Sequence, residues 1–321
     1  MSELAPLLAV LGPTGSGKTE VGIELAKRLG TEIISADSIL VYRHFNIGSA
    51  KPDQESQKRV VHHMIDVANP DEEFNVSRYR DAAKDIAYKL WSDGKMPLVV
   101  GGAWLYVKGL TRQLSFGIKV SVKGQDRLDE IYSTVGQPGA YNMLQRIDSS
   151  WTSKVHPNDT FRTQRGLGVY FTSGKTMTEI IKDTKQPAVF DFVLIALSPP
   201  RKQLHERIEK RVTAMVRAGL RDEIRELMSM GYNSATKAMQ SIGYREIYKE
   251  LTQNVNPEET ERQIAKATKA YAKRQLTWMR NNPEINILNT RLGDDPAKIC
   301  DRLLSIPIVE ELLTRHHVEI T

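Results

Sequence analysis

An apolar run, Leu7-Leu8-Ala9-Val10-Leu11, leads directly into Gly12-Pro13-Thr14-Gly15-Ser16-Gly17-Lys18-Thr19, and a stretch of helical character, Glu20 to Leu29, follows at once. Strand, glycine-rich loop and helix in that order constrain the fold more than any other feature of the chain. The eight loop residues fit G-x-x-x-x-G-K-[ST], the phosphate-binding P-loop. Its glycines let backbone N–H groups converge on phosphate oxygens at a helix N-terminus, whose dipole also favours an anion. Lys18 would bridge those oxygens, and the Thr19 hydroxyl would ligate Mg²⁺. The sequence therefore predicts a diphosphate site.

A second strand, Glu32 to Ala36, follows the first helix, and strands alternating with helices predict a parallel sheet with right-handed crossovers. A helix from about Ser77 to Ser92 precedes Pro97-Leu98-Val99-Val100, a strand running into Gly101-Gly102. The continuously apolar Phe190 to Leu197 reads as a strand covered on both faces. Between about Ile118 and Gln186 the alternation stops, and Gly136-Gln137-Pro138-Gly139 punctuates helical patches. This predicts either a helical domain (118–186) inserted into a discontinuous core (1–117 and 187–321), or extra helices on the same core. From Arg201 to Arg280 the pattern is helical, broken near Gly219, Gly231 and Pro257. Asn286 to Leu288 reads as a last strand. The expected class is α/β: a P-loop NTPase-like parallel sheet with a mainly helical insertion.

A P-loop nucleoside triphosphatase usually ends a strand in an Asp that holds the metal. Val99-Val100-Gly101-Gly102-Ala103 contains no acid. The carboxylate instead follows the second strand, in Ser35-Ala36-Asp37-Ser38. Parallel strand ends face one crevice, so Asp37 can sit beside the diphosphate as metal ligand, general base or both. A turn or cap Asp is the other reading.

Of 321 residues, 40% are hydrophobic and 26% charged, which is ordinary for a globular protein; the net charge of +6 suits a polyanionic partner without requiring one. Arg207, Arg211, Arg217, Arg221 and Arg225 recur at helical spacing beside Glu206, Glu209 and Glu223. For most of them a salt-bridged, solvated face is expected. Lys266, Lys273 and Arg280, in steps of seven, form one basic stripe. Arg274, Gln275, Thr277 and Trp278 add hydrogen-bonding and stacking groups, and no acid lies between Ile264 and Asn282. Nucleic-acid contact is expected there. His156-Pro157-Asn158-Asp159 predicts a helix start capped by Asp159, with Arg162 and Arg165 able to meet phosphate. No apolar run approaches the ~18 residues of a membrane helix. Leu7 to Leu11 is too short for a cleavable signal. The only cysteine, Cys300, excludes an internal disulfide and a cysteine-based zinc site, so a reducing cytoplasm is expected.

Taken together, GPTGSGKT (12–19), ISADS (34–38), VYR (41–43), IGSAKP (47–52), VGG with LY (100–102, 105–106), HPND (156–159), SGKTMTE (173–179), IGYRE (242–246) and AKRQLTWMR (272–280) form an ordered set. From about Leu8 to Leu288 the chain resembles the tRNA dimethylallyltransferases, also called tRNA isopentenyltransferases. The resemblance implies that the P-loop holds dimethylallyl diphosphate rather than ATP. The acceptor would be N6 of the adenosine just 3′ of the anticodon, which must leave its stack to react. Asp37 would orient or deprotonate N6. Lys18, Thr19 and Mg²⁺ would neutralise the leaving diphosphate, with Arg211 and then Arg207 as further contacts. The implied tRNA-facing set is Asp37, Ser38, Ile39, Leu40 and Ala103; Phe161, Arg162, Thr163, Gln164 and Arg165 of the insertion; Gly243, Tyr244 and Arg245; and Lys273, Arg274, Gln275, Trp278 and Arg280. The insertion would grip the anticodon stem-loop. A cytoplasmic monomer with no membrane contact is expected.

Three departures from the family pattern concern the acceptor side. Ala103 stands where many members carry Thr, with Trp104 beside it. Thr160-Phe161 replaces a Pro-Gln pair. Val120 to Asp126 lacks an Asp-Pro plus Arg pattern. The alternatives are an adenylate isopentenyltransferase acting on a free nucleotide, a small-molecule kinase, and a tRNA-binding paralogue with reduced catalysis.

Overall fold

A computed structural model describes residues 4–112, 118, 120–183 and 188–320. Two compact units are present: Met1–Thr111 with Val189–Thr321, and Arg112–Ala188. The sequence placed the corresponding boundaries near 118 and 186.

In the first unit the described strands are β1 (Pro6–Leu11), β2 (Ile33–Ala36), β3 (His62–His63), β4 (Leu98–Gly101), β5 (Asp191–Ser198) and β6 (Ile285–Asn289). They form one sheet in the order β3-β2-β4-β1-β5-β6, and every pairing is parallel. Alternation along the strands divides the core into two layers. Leu7, Ala9 and Leu11 of β1 join Val99, Leu194 and Ala196 on one face. Leu8 and Val10 join Leu98, Val100, Val193, Ile195 and Leu197 on the other. All six residues of β1 are buried, which explains why this strand reads as an unbroken apolar run. β3 has no such signal: two histidines make its whole length, so the sequence could not announce it.

Register decides what meets at the edge. Leu11 pairs with Gly101 and Ala196, and Ala36 also pairs with Gly101. The ends of β1, β2, β4 and β5 are therefore level, and the P-loop, Asp37 and Gly102 leave the sheet along one rim. β4 lies between β1 and β2, so two strand spacings, roughly 10 Å, separate the P-loop strand from the Asp37 strand. A side chain at Gly101 would place its Cβ 2.1 Å from the Ala36 carbonyl oxygen, so only glycine allows this approach.

The second unit is helical: Val122–Ile147, Ser149–Thr152, Thr160–Ser173 and Met177–Asp183. Gly136, at φ 60° and ψ −168°, breaks the first of these within the Gly136-to-Gly139 punctuation. Leu128, Ala140, Leu144 and Leu167 form its small core. Asp159 caps Thr160–Ser173 as the sequence predicts, accepting from the Arg162 backbone N–H at 2.9 Å.

Candidate active site

Gly17, at φ 88°, turns the chain from the P-loop into the helix Lys18–Arg28, and no side chain caps that N-terminus. Its first N–H groups are therefore open to an anion. Ser16 Oγ is buried with no partner, an orphan that a phosphate oxygen would satisfy. Burial pushes the Lys18 ammonium down to about 8; Asp37 opposes this shift and Arg211 adds to it. Arg211, on the helix Arg201–Arg217, is itself lowered by burial, raised by Asp37 and lowered by Arg207. Arg207 lies against the loop, its Nη1 3.5 Å from where a Cβ on Gly17 would stand. Three cations and one carboxylate thus gather at the rim of the sheet.

Asp37 takes the turn role that the sequence offered as one of its two readings. Its Oδ1 accepts the backbone N–H groups of Ile39 at 2.8 Å and Leu40 at 3.3 Å, which makes it a turn residue. Its charge still faces Lys18 and Arg211. A cavity of about 350 Å³ is lined by the polar Thr14, Asp37 and Arg211 together with the apolar Ile208, Val212, Met215 and Ile264. Ser38, Ile39, Gly243, Tyr244, Arg245 and Arg274 also line it. A cavity with such a lining can hold an anion and a short hydrocarbon.

Among the described residues no three His, Cys, Asp or Glu side chains are grouped to cage a metal. Mg²⁺ does not need such a cage. It takes one or two protein oxygens and completes its octahedron with phosphate and water. The Thr19 hydroxyl and Asp37 carboxylate are hard oxygen donors of that kind, so the residues present fit it.

Gln275 is a correction. Expected among RNA-facing polar groups, it is 3% exposed, its Oε1 accepting from Thr14 N at 2.9 Å and its Nε2 donating to the Gly102 carbonyl at 3.0 Å. Both ends of the amide are committed, locking the P-loop to the end of β4. Tyr244 is also interior, its hydroxyl donating to Glu223 at 2.7 Å. So is Thr163, whose hydroxyl donates to the Asp159 carbonyl at 2.8 Å. Buried side chains with satisfied groups serve the fold rather than an RNA surface.

The other expected residues divide by element. On the helix Pro257–Arg280, Lys266, Lys273, Arg274 and Arg280 are exposed, with Arg280 reaching Ser198 Oγ at 3.3 Å. Lys269 pairs with Glu209, a neutralising acid from another helix. Trp278 stacks on Trp104. Gly243 N–H donates to Glu246 at 2.7 Å, and Arg245 pairs with the same carboxylate. Ala103, half-buried, donates its N–H to Ala36 O at 3.0 Å, and Leu40 is also half-buried. In the second unit Phe161 is 78% exposed, Arg162 pairs with Asp159, Gln164 is half-buried and Arg165 donates to the Ile118 carbonyl at 3.1 Å.

The sequence missed Glu223. Read as a surface partner of nearby arginines, it is buried and accepts the N–H groups of Asn46 at 3.0 Å, Ile47 at 2.7 Å and Gly48 at 3.2 Å besides the Tyr244 hydroxyl. The expectation of a salt-bridged, solvated face holds for Arg225, with Asp222, whereas half-buried Arg221 pairs with the buried Glu250 of another helix.

Residues 40–282 match the family model described as IPP transferase, and residues 5–67 match the one described as isopentenyl transferase. A tRNA dimethylallyltransferase of Syntrophobacter fumaroxidans is 41% identical over 280 residues, 87% of this chain and 82% of the relative. One from Natranaerobius thermophilus is 36% identical over 310 residues, covering 96% and 93%. Among solved structures, the full-length tRNA isopentenylpyrophosphate transferase from Bacillus halodurans is similar with a TM-score of 0.71 at 34% identity, over 97% of this chain and 99% of that one. A eukaryotic dimethylallyltransferase acting on tRNA reaches 0.80 at 26% identity, over 99% and 81%. A parallel sheet whose rim joins a P-loop to the carboxylate after β2, and likeness at this identity across nearly the whole length, lead to one assignment: the chain belongs to the tRNA dimethylallyltransferase family.

Proposed function

We propose that the protein transfers a dimethylallyl group from dimethylallyl diphosphate to N6 of the adenosine 3′-adjacent to the anticodon of tRNA, releasing diphosphate. The observation that carries this is one cavity whose lining joins Asp37, Arg211 and the P-loop residue Thr14 to the apolar side chains of Ile208, Val212, Met215 and Ile264. The N–H groups at the start of Lys18–Arg28, with Lys18, Arg211 and Arg207, hold the diphosphate. The wall of Ile208, Val212, Met215 and Ile264 receives the five-carbon chain and keeps water from its reactive carbon. N6 attacks that carbon as its bond to the diphosphate oxygen breaks, and the N6 proton passes to the Asp37 carboxylate. Cations fixed before the reaction stabilise the charge growing on the leaving group. Mg²⁺, held by Thr19 and Asp37, would supply further charge neutralisation there.

The exposed cations of Pro257–Arg280 and the helical second unit, with Phe161 and Arg162, are assigned to the anticodon stem-loop. No described helix is long and apolar enough to cross a membrane. Cys300, the single cysteine of the chain, is a buried free thiol; we infer a cytoplasmic monomer.

The test incubates the protein with radiolabelled dimethylallyl diphosphate, Mg²⁺ and either total tRNA or AMP. Label in tRNA, mapped to the adenosine beside the anticodon, is expected. Label in AMP, or consumption of ATP γ-phosphate in a parallel assay, would overturn the assignment.

A further inference from the structure

The ring centroids of Trp104 and Trp278 lie 4.9 Å apart with 22° between their planes. Trp104 opens the helix Trp104–Thr111, two residues beyond the Gly102 carbonyl that Gln275 holds. Trp278 lies three residues beyond Gln275, one turn along the helix Pro257–Arg280. The two indoles line an open cavity of about 750 Å³ together with Lys108, Lys273 and Arg274. Glu284 is the only acid among its described lining residues. All three cations are exposed, and none forms an ion pair among the described residues. Arg274 lines this cavity and the donor cavity alike, so the two adjoin.

Packing alone explains a tryptophan pair, but not one set in an open, cation-rimmed recess beside a transfer site. Indole faces attract planar π-systems of any sequence, and lysine and arginine attract the phosphates between them. We propose that the Trp104–Trp278 stack is a platform for one unpaired nucleobase of the RNA acceptor, a neighbour of the adenosine that reacts, with Lys108, Lys273 and Arg274 holding the adjoining phosphates. The inference rests on the RNA acceptor proposed above. It gives Trp104, the neighbour of Ala103, a positioning role: a base held on the platform fixes where the neighbouring adenosine enters.

The test uses anticodon stem-loop oligonucleotides carrying 2-aminopurine, singly, at each unpaired position flanking the acceptor adenosine. Stacking quenches this fluorophore. Wild-type protein should quench one position, whereas Trp104→Ala and Trp104→Leu should abolish that quenching. They should weaken stem-loop binding roughly five- to a hundredfold, the usual value of one base–aromatic stack. The KM for dimethylallyl diphosphate should stay unchanged, and Trp104→Phe should restore both quenching and affinity. Lys273→Ala should reduce the salt dependence of binding and leave the quenching in place. The leucine variant keeps apolar bulk, so a folded Trp104→Leu protein with wild-type quenching and affinity would overturn the platform. Quenching by wild-type protein that transfers no label to RNA would sink the proposed reaction while supporting the platform. Normal transfer that is indifferent to Trp104 would do the reverse.

Discussion

At the scale of single residues, the site combines groups whose work is electrostatic with groups whose work is to hold backbone in place. Lys18 belongs to the first kind. Its ammonium is desolvated and feels the charges of both Asp37 and Arg211, and a diphosphate would complete the charge balance. Lys18→Ala should therefore nearly abolish transfer while leaving stem-loop affinity close to wild type. Normal turnover at saturating donor would contradict that role. Gln275 belongs to the second kind, since its amide bonds Thr14 N of the P-loop and the Gly102 carbonyl just past β4. Gln275→Ala leaves two buried backbone groups unpaired, at about 1–3 kcal/mol each. Thermal denaturation should show that loss, and the KM for the donor should rise. A carboxylate there accepts from Thr14 N but cannot donate to Gly102 O, so Gln275→Glu should restore little. Rescue by Glu to wild-type donor binding would show that the Gly102 contact is idle.

At the scale of elements, the segment around Asn46 to Gly48 has no regular structure and borrows its order from two helices. Glu223, in the first turn of Leu220–Ser229, collects its N–H groups, and Phe45 packs on the Tyr244 ring at 4.4 Å between centroids. Gly48 and Ser49 then form part of the donor cavity wall. Glu223→Ala should cost roughly 2–4 kcal/mol of stability, because water re-entering the partly exposed segment satisfies some of the freed donors. It should also raise the donor KM, and an unchanged KM would detach this segment from the cavity. This tie marks the limit of what the chain discloses as a sequence. The P-loop, the Gly101-Gly102 pair and the Asp159 cap are legible because their chemistry is local: a few adjacent residues carry the whole signal. Glu223 sits among arginines at helical spacing, which is the pattern of a solvated face, and three of its four partners lie some 175 residues earlier. Gln275 is hidden likewise within a basic run. β3 is two residues long, and strand periodicity needs more.

For the molecule as a whole, a net charge of +6 matters through where it stays unpaired. Lys273, Arg274 and Arg280 are exposed on one helix with no ion pair among the described residues, whereas Arg221, Arg225 and Arg262 are paired with carboxylates. Stem-loop binding should weaken steeply with salt, and Arg274→Ala or Arg280→Ala should each flatten that dependence, since fewer counterions are released. Unchanged slopes in both variants would move the RNA surface elsewhere. The helix Pro257–Arg280 meets this outer surface and the P-loop at once, through exposed cations and through buried Gln275. Two ligands that bias one rigid element share a coupling free energy, and equilibrium linkage makes the coupling reciprocal. Whatever factor dimethylallyl diphosphate applies to RNA affinity, RNA must apply to the affinity for dimethylallyl diphosphate. Calorimetric titration of each ligand with and without the other should give equal factors above one, falling to one when Gln275→Ala cuts the tie between the beam and the loop.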